Sequence, residues 1–399
     1  MKILVVNSGG ATLKYKLYRM PAEEVIASGT VDRLGTAQAT LTHRVGDRRR
    51  ELTEPMPDHL AGIRVMLREL TSASDAPLGS LAELDAVAHK LPHGGEVSGA
   101  QLIDSTVEEA LRRFARVVPV HNPPVLTAIA AFRDLLPETP QCGTFETHFH
   151  ATLAPAAYRY ALPESWYAEH GIRRYGFHSC SHRYTAGKVA EILHRPLDAL
   201  RLVACHLGSG TSVCGIRNGR SVEISSAFTP QAGTPMSTRS GDFDPFVLTY
   251  LMEETGATVE ELNRVLTKES GLAGLSGVGG DLRDIEAAAA AGSAAAQLAL
   301  DVFVFNIRRW IGACLMACGG ADAISFTGGI GENDPLLRSR VCEDLAWLGL
   351  ELDPVANRTV KEGVLSTPSS AVAVVAVQVD EEIVVARDAC QVLAARAED

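Results

Sequence analysis

Residues 2–19, KILVVNSGGATLKYKLYR, give the strongest indication of the fold class, because they place a glycine-rich turn between two apolar runs typical of β-strands. Such a bend points backbone N–H groups inward and forms a concave site for an anion. The same plan recurs in RLVACHLGSGTSVCGIRNGRSVEI at residues 201–224, where Asn218–Gly219 is a strong hairpin signal. Since one such unit opens each half of the chain, we predict an α/β fold with duplicated sheets and a phosphate held between the halves.

A third glycine-rich segment follows the apolar run 323–326 and reads TGGIGEN at residues 327–333. We predict a strand, a glycine loop and a helix that begins at Asp334–Pro335, an arrangement that aims N–H dipoles at a nucleotide. The segment lacks the GK[ST] ending of a P-loop, and it lies too near the C-terminus to open a Rossmann unit.

Apolar spacing predicts the remaining elements. Helical periodicity covers residues 98–118, 122–136 and 283–318, and Gly292 is expected to split the last of these into two helices. The short and almost wholly apolar run 371–379 suits a buried strand.

Length and charge exclude several classes of protein. A chain of 399 residues is too long for one ordinary core, so we expect two domains. A nucleic-acid binder normally carries a basic face, whereas the net charge here is -11, so no nucleic-acid partner is expected. The chain shows neither the layout of a signal peptide nor the roughly 18 apolar residues of a membrane span. We therefore expect a cytoplasmic protein without a membrane partner.

The metal-binding residue types give no clear cluster. Four histidines leave a zinc site open as an alternative, although their spacing matches no common zinc pattern: His148, His150, His178 and His182. The eight cysteines are scattered without a CxxC pair, so buried free thiols are expected.

Charged and polar residues beside glycines at strand ends are the candidates for chemistry. Phosphoryl transfer needs positive charge around the γ-phosphate, a divalent metal and in-line positioning of the reactants. Lys90, Glu146, His178 and Arg239 occupy such places. Each has an ordinary structural explanation when taken singly, and their recurrence in both halves of the chain favours a functional one.

Five longer motifs are specific enough to indicate a family. They are NSGGATLKY at 7–15, GFHSCSH at 176–182, HLGSG at 206–210, TRSGDFDP at 238–245 and FTGGIGEN at 326–333. The chain resembles the acetate and propionate kinases, of the sugar kinase, Hsp70 and actin superfamily, almost from end to end.

The resemblance implies a fold and a set of ligands. The fold would consist of duplicated ribonuclease H-like domains of the actin-like ATPase superfamily with an active-site cleft between them. An N-terminal lobe at 1–150 would be completed by a C-terminal helix at 383–399, and residues 151–382 would form the nucleotide-binding lobe. ATP or ADP, Mg²⁺ (with Mn²⁺ as an alternative), a small carboxylic acid and a second copy of the chain would be the partners.

The resemblance also implies residue roles. Asn7 and Glu381 would hold the metal, His178 would donate a hydrogen bond to the phosphoryl group in transfer, and Arg239 would steady the developing charge. The catalytic set would be Asn7, Lys90, Glu146, His178 and Arg239. The acid would contact Lys90, Pro92, Val120, His121, Phe177 and Pro230. The nucleotide would contact Lys14, Gly208, Ser209, Gly210, Asp281, Leu282, Arg283, Gly329, Ile330, Gly331 and Asn333.

The chain departs from the family pattern around the same site. Lys90 replaces an arginine that grips the acid, and an ammonium cannot make the planar bidentate contact of a guanidinium. Glu146 replaces an aspartate, Ser209 an asparagine and Pro92 another apolar residue. In the first glycine turn, residues 10–12 (Gly, Ala and Thr) replace serines, so two hydroxyls are lost and one is kept. The expected reaction is transfer of the ATP γ-phosphoryl group to acetate, with propionate or another short acid as the alternative. A sugar kinase and a non-catalytic nucleotide-binding regulator are the rival classes.

Overall fold

The structure, a computed structural model, describes residues 1–72 and 75–398, so residue 399 of the predicted helix 383–399 lies outside the described residues. The strands are β1 (Lys2–Ser8), β2 (Thr12–Arg19), β3 (Glu24–Asp32), β4 (Thr40–Val45), β5 (Arg48–Thr53), β6 (Ala86–Leu91), β7 (Ala100–Leu102), β8 (Gln141–Phe145), β9 (Arg201–Leu207), β10 (Thr211–Arg217), β11 (Arg220–Ile224), β12 (Ala323–Thr327), β13 (Gly363–Val364) and β14 (Ala373–Ala376). The α-helices are α1 (His59–Ser72), α2 (Ser105–Arg113), α3 (Asn122–Leu135), α4 (Pro155–Tyr158), α5 (Glu164–His170), α6 (Ser179–Ile192), α7 (Phe246–Thr255), α8 (Val259–Arg264), α9 (Gly271–Ser276), α10 (Leu282–Ala290), α11 (Ala294–Cys318), α12 (Gly328–Asn333), α13 (Pro335–Glu343), α14 (Pro354–Thr359) and α15 (Glu381–Glu398).

The first of two compact units comprises Met1–His148 together with the C-terminal residues from Asp380 onward. Its sheet has the order β5-β4-β3-β2-β1-β6-β8-β7. The strands β1, β6 and β8 are parallel, whereas β2 to β5 extend the sheet from β1 as antiparallel hairpins. Because parallel strands end at the same edge of a sheet, Asn7, Lys90 and Glu146 lie along one edge of this unit.

The second unit, Phe149–Val379, repeats this topology. Its sheet has the order β11-β10-β9-β12-β14-β13, with β9, β12 and β14 parallel. The strands β1, β2, β3, β6, β7 and β8 of the first unit correspond in chain order to β9–β14 of the second. With this correspondence, the order β3-β2-β1-β6-β8-β7 in the first sheet becomes β11-β10-β9-β12-β14-β13, the order of the second sheet. The predicted duplication of the sheet is therefore confirmed.

Each sheet is held by apolar side chains buried beneath its helices. In the first unit, Leu4 and Val6 of β1 pack in one cluster with Phe132 of α3. In the second unit, Val203 of β9 packs with Phe303 of α11. Burial of a side chain of this size stabilises the fold by about 1.5–3 kcal/mol, so these clusters fix the strand ends that carry the polar residues.

Several predicted elements are confirmed. The turn between β10 and β11 has positive φ at both Asn218 (54°) and Gly219 (73°), as the hairpin signal requires. The helix pair α10 and α11 is separated at Gly292, whose φ is 94°. The predicted helix at 122–136 corresponds to α3, and the apolar run 371–379 contains β14.

The helix predicted across residues 98–118 is wrong in its first part. Residues 100–102 form β7, and α2 begins only after Asp104, whose carboxylate accepts a hydrogen bond from Val107 N–H at 3.0 Å. A strand of three residues is too short to show the alternation of apolar and polar residues that marks a strand. The helical spacing of the residues after β7 therefore hides it.

The loop predicted at residues 328–333 is also wrong, because these residues form the short helix α12. Thr327 is its N-cap residue, and the left-handed backbone of Gly328 (φ 77°) turns the chain directly from β12 into the helix. A side chain at Gly328 would meet the carbonyl oxygen of Leu207 at 2.7 Å, so the glycine is needed for this entry.

Two predictions from composition concern the cysteines and membrane-spanning helices. All eight cysteines are free thiols. Within the described residues, no α-helix combines the length and the apolar character required to cross a membrane.

Candidate active site

Lys90 lies between two carboxylates in the first unit. Its ammonium Nζ is hydrogen-bonded to Glu381, the first residue of α15, and lies 3.5 Å from Glu146 Oε2. The backbone N–H of Glu146 donates to the carbonyl of Leu91 at 2.7 Å, which fixes the residue beside β6. The three charged side chains are only 15%, 9% and 16% exposed. The structure therefore brings together the predicted residues Lys90, Glu146 and Glu381 as one cluster, which we call the lysine cluster.

The neighbours of Glu381 hold the start of α15 against β2. Lys16 Nζ lies 2.9 Å from Asp380 Oδ1 and 3.3 Å from Glu382 Oε2. Burial opposes ionisation of Asp380, but the hydrogen bond and charge of Lys16 keep its pKa below the usual range. No motif marks these residues. The acidic run at 380–382, placed where a helix begins, is the signal that could have found them.

Asn7 and Lys14 are directly opposite each other in the hairpin of β1 and β2. Asn7 is half-buried and Lys14 is exposed. Lys14 lines a cavity of about 370 Å³ on the face of β2, β3 and β4, which also includes Lys16 and Glu382. Thus the hairpin presents one amide and one ammonium near the edge where the lysine cluster lies.

The segments that carry Pro92 and His121 are tied together by Asn122. The Asn122 carboxamide oxygen accepts from His93 N–H at 3.2 Å, and its NH₂ group donates to the His93 carbonyl at 2.9 Å. Pro92 and His121 are half-buried, and Val120 is 52% exposed. Asn122, which we did not predict, therefore organises this part of the candidate acid site. Its position between His121 and two prolines, at the start of a helix, was the available signal.

In the second unit, three predicted residues meet at the turn between β9 and β10. A Cβ atom placed on Gly210 would lie 3.4 Å from His178 Nε2 and 3.7 Å from Arg239 Nη1. A Cβ atom on Gly208 would lie 4.0 Å from the backbone nitrogen of Gly329. The turn, the histidine, the arginine and the start of α12 thus surround one space, which we call the glycine cradle.

Arg239 is a largely buried cation. Its Nη1 donates to the carbonyl of Pro230 at 3.2 Å and contacts Met236 Sδ at 3.6 Å. Burial lowers the pKa of its guanidinium, which nevertheless remains charged at neutral pH. Within the part of the chain that the structure describes, no carboxylate forms an ion pair with Arg239. A buried cation in this state is costly unless an anion joins it.

His178 has an unusual backbone for a residue with a side chain, with φ 62° and ψ 33° immediately before α6. This left-handed conformation is uncommon outside glycine and is found at functional sites. The ring of His178 stacks on that of His206 with centroids 4.3 Å apart. The preceding residue, Phe177, is buried, and its N–H donates to Ser226 Oγ at 2.9 Å. The strained residue is therefore held from both sides.

The remaining predicted nucleotide contacts lie on two helices. Asp281 caps α10 by accepting from Arg283 N–H at 3.0 Å, and its carboxylate pairs with the Arg283 guanidinium at 2.6 Å. This hydrogen bonding lowers the pKa of Asp281 to about 2. Both side chains are exposed, whereas Leu282 between them is buried. Gly329, Ile330, Gly331 and Asn333 belong to α12.

Glu332 braces the start of α12, and we did not predict it. Its Oε1 accepts from the backbone N–H groups of Gly328 and Val379, each at 3.1 Å. One carboxylate thus joins the first turn of the helix to the segment after β14. The position follows from the motif FTGGIGEN, in which this carboxylate lies one turn after Gly328.

The histidines proposed as an alternative zinc site are engaged in other contacts. His150 bonds Ser221 Oγ at 2.8 Å and the Phe177 carbonyl at 2.9 Å. His182 bonds Ser212 Oγ at 2.8 Å. Over residues 1–72 and 75–398, no group of three or more His, Cys, Asp or Glu side chains is placed to hold a metal ion.

The duplicated sheets and the glycine cradle define a class, the phosphotransferases of the actin-like ATPase fold. Comparison with known proteins is more specific, since the acetokinase family matches residues 2–387. The chain belongs to this family. ATP and ADP are the nucleotides that the family uses.

Individual relatives cover nearly all of the chain. An acetate kinase from Clostridium novyi is 42% identical over 98% of this chain and 98% of its own length. A propionate kinase from Citrobacter rodentium is 43% identical over 98% of this chain and 96% of its own. The crystal structure of Porphyromonas gingivalis acetate kinase superposes with a TM-score of 0.90 at 39% identity, over 98% and 99% of the two chains. Sequence identity alone therefore does not separate acetate from propionate.

Proposed function

We propose that the protein transfers the γ-phosphoryl group of ATP to the carboxylate of acetate, giving acetyl phosphate and ADP in a reversible reaction. Propionate or another short acid is the alternative acceptor, because a propionate kinase and an acetate kinase are equally similar to the chain. The reaction is a direct in-line transfer without a phosphorylated enzyme.

The environment of Arg239 is the single observation that carries this proposal. A largely buried guanidinium without a carboxylate partner lies within reach of His178 and the glycine turn. Polar donors that converge on a glycine turn are suited to a group that spreads negative charge over several oxygens. A transferring phosphoryl group is such a group.

The chemical step needs little from the protein beyond positioning. A carboxylate oxygen of the acid attacks the γ-phosphorus and forms a new P–O bond, while the bond to the bridging oxygen breaks and ADP leaves with the electron pair. The acid is already ionised at neutral pH, so no general base is required. Arg239 and His178 stabilise the charge on the equatorial oxygens, and Lys90 receives the carboxylate of the acid.

The residues assigned to Mg²⁺ fit that ion chemically. Nucleotide-bound Mg²⁺ takes one or two protein oxygens and completes its shell with phosphate and water. Asn7 offers an amide oxygen and Glu381 a carboxylate, which is paired with Lys90. When bound, the ion would neutralise charge on the β- and γ-phosphates, and Mn²⁺ would accept the same oxygen ligands.

The acid site is assigned to the first unit around Pro92, Val120 and His121. Asn122 joins the two segments that carry these residues through a pair of hydrogen bonds to the His93 backbone. Phe177 and Pro230 of the second unit are assigned to the same acid by the family resemblance. The rigid proline and the valine provide apolar surface for a methyl or ethyl group.

We also propose that the protein acts as a homodimer. The helix α7 has no buried residue, and four of its large apolar side chains are exposed: Phe246 75%, Tyr250 61%, Val247 44% and Met252 40%. Apolar side chains exposed together on one helix are typical of a surface that another chain covers. Sedimentation of the wild type and of Phe246→Asp tests this, since a monomeric wild type would contradict it.

Acyl phosphate formation with a panel of acids tests the proposed function. The purified full chain is supplied with ATP, Mg²⁺ and formate, acetate, propionate or butyrate in turn, and kcat/KM is compared. We expect the highest value for acetate. A maximum at propionate would select the alternative acceptor, and no acyl phosphate with any acid would refute the proposal.

A further inference from the structure

Two histidines share one buried hydroxyl in the second unit. The Oγ atom of Ser212, on β10, lies 2.8 Å from His178 Nδ1 and 2.8 Å from His182 Nε2. Ser212 and His182 are both fully buried. A serine hydroxyl carries one proton, so it donates to one of the two rings and accepts from the other. The direction of this chain of hydrogen bonds decides which nitrogen of His178 carries the proton.

The second nitrogen of His182 decides the direction. His182 Nδ1 has neither exposed surface nor a hydrogen-bond partner among the described residues. Burial keeps the ring neutral, since it lowers the pKa of His182 well below the usual value. A neutral ring carries one N–H, and a buried N–H without an acceptor is rarer than a lone pair without a donor. The proton of His182 therefore lies on Nε2 and is donated to Ser212.

The remaining protons follow from this assignment. Because Ser212 accepts from His182 Nε2–H, its own O–H donates to His178 Nδ1. His178 then keeps its proton on Nε2, the atom that lies 3.4 Å from the Cβ position of Gly210. In the reverse arrangement, His178 Nδ1–H would donate to Ser212, and His182 Nδ1 would become a buried donor without an acceptor.

We propose that Ser212 and His182 are positioning residues that fix His178 as the Nε2–H tautomer, so that it presents a hydrogen-bond donor to the glycine cradle. This inference rests on the proposed function, in which His178 donates to the phosphoryl group. In the opposite tautomer, the histidine would turn a lone pair toward an anion, which repels it.

The neighbouring groups are arranged so that they do not compete for Ser212. The stacked ring of His206 has its Nδ1 engaged with Ser181 Oγ at 2.7 Å, and His150 is bonded to Ser221 and to the Phe177 carbonyl. The opposite nitrogen of His178, Nε2, and Arg239 Nη1 lie 3.4 Å and 3.7 Å from the Cβ position on Gly210. Among the described residues, the hydroxyl of Ser212 is hydrogen-bonded to the rings of His178 and His182.

Nitrogen NMR of the wild type tests the inference directly. The full chain is labelled with ¹⁵N-histidine, and the ring signals of His178 are identified by their absence in His178→Gln. We expect, without nucleotide, a protonated Nε2 and an unprotonated Nδ1 for His178. A protonated Nδ1 with an unprotonated Nε2 would overturn the inference. This measurement needs no variant at Ser212 and no activity.

Removal of the hydroxyl gives a second test. Ser212→Ala should give His178 a mixture of tautomers and lower kcat by about tenfold, less than the 10²–10³ for loss of a whole donor. KM for ATP should change little. Ser325→Ala is the matched control, since Ser325 is a fully buried serine of the same sheet whose Oγ has no hydrogen-bond partner among the described residues.

The outcomes separate this inference from the proposed function. Ser212→Thr keeps the hydroxyl and should restore both the tautomer and kcat relative to Ser212→Ala. If Ser212→Ala changes neither the tautomer nor kcat, or if Ser325→Ala has the same effect, the positioning role is wrong. A wild type that forms no acyl phosphate would refute the proposed function, while the tautomer measured by NMR would stand by itself.

Discussion

The two units each carry one largely buried cation at their candidate site, and the two cations are neutralised differently. Lys90 of the first unit is bonded to Glu381 and lies 3.5 Å from Glu146 Oε2. Arg239 of the second unit has a carbonyl oxygen and a thioether as its described partners. One cation is thus held by two carboxylates of the protein, whereas the other has none.

This difference indicates that Lys90 has a structural role in addition to its proposed contact with the acid, whereas the role proposed for Arg239 is chemical. Two buried carboxylates next to each other repel, so Lys90 is needed for the folded state of the first unit. A largely buried guanidinium without an anion lowers stability, which supports the proposal that Arg239 contacts a charge that the substrate brings.

Arg239→Ala should produce the largest effect. Loss of the arginine should lower kcat by about 10³-fold, as for other arginine contacts to a transferring phosphoryl group, and should leave the free energy of unfolding equal or higher. Steady-state kinetics and urea unfolding of the same preparation check both parts. Arg173→Ala is the control, since the Arg173 guanidinium lies over the Tyr158 ring at 3.6 Å and outside the cradle. Near-normal turnover in Arg239→Ala would show that Arg239 has no chemical role, and the proposed difference between Arg239 and Lys90 would then be wrong.

Lys90→Met should destabilise the protein by about 3 kcal/mol, because it leaves Glu146 and Glu381 as a buried carboxylate pair. Urea unfolding measures this. The double variant Lys90→Met, Glu146→Gln should recover much of the loss, since one negative charge is then removed. If Lys90→Met unfolds like the wild type, the lysine cluster has no structural role.

Lys90→Arg should have a smaller effect and should raise kcat/KM for acetate by up to about tenfold. A guanidinium can grip a carboxylate with two parallel hydrogen bonds, which an ammonium cannot do. The comparison of kcat/KM for acetate and propionate in both proteins checks this. A fall with acetate would instead show that the site is organised around lysine.

In the second unit, the neighbouring carboxyl groups of Glu286 and Asp334 predict that stability depends on pH. Burial and the neighbouring Asp334 raise the pKa of Glu286 to about 7. The folded state therefore binds more protons than the unfolded state between about pH 4.5 and pH 7, so stability falls as pH rises through this window. The expected loss is about 1 kcal/mol, after allowance for the partial exposure of Glu286.

Unfolding at several pH values checks this smallest effect. Glu286→Gln should remove the slope between pH 4.5 and pH 7 and should be more stable than the wild type above pH 7. Glu254→Gln, at an exposed carboxylate of α7, should keep the slope. A slope that persists unchanged in Glu286→Gln would assign it to other groups.

The fold was predictable because its signals are local. The two glycine turns, the Asn218–Gly219 hairpin and the break at Gly292 each depend on residues adjacent in the chain, and the left-handed backbone at Gly219 and Gly292 is one that glycine readily adopts. The two wrong predictions, for residues 100–102 and 328–333, also come from local signals. Residues 100–102 form too short a strand to show a period, and α12 begins at a glycine, which normally ends a helix.

The candidate site was predictable only in part. Motifs identify His178 and Arg239, and its place at a strand end identifies Lys90, but neither signal shows which of these residues has a counter-charge. The partners of Lys90 lie 56 and 291 positions away in the chain, at Glu146 and Glu381, and only the folded sheet brings them close. Asn122 and Ser212 were missed for the same reason, since their function lies in hydrogen bonds to residues from other elements.

The most direct test of the central claim is to count products from the wild type in one sample. ADP and acyl phosphate are measured together after incubation of the full chain with ATP and Mg²⁺, with and without acetate. We expect one acyl phosphate for each ADP in the presence of acetate and almost no ADP without it. Equal ADP formation in both samples, with inorganic phosphate as the second product, would contradict it.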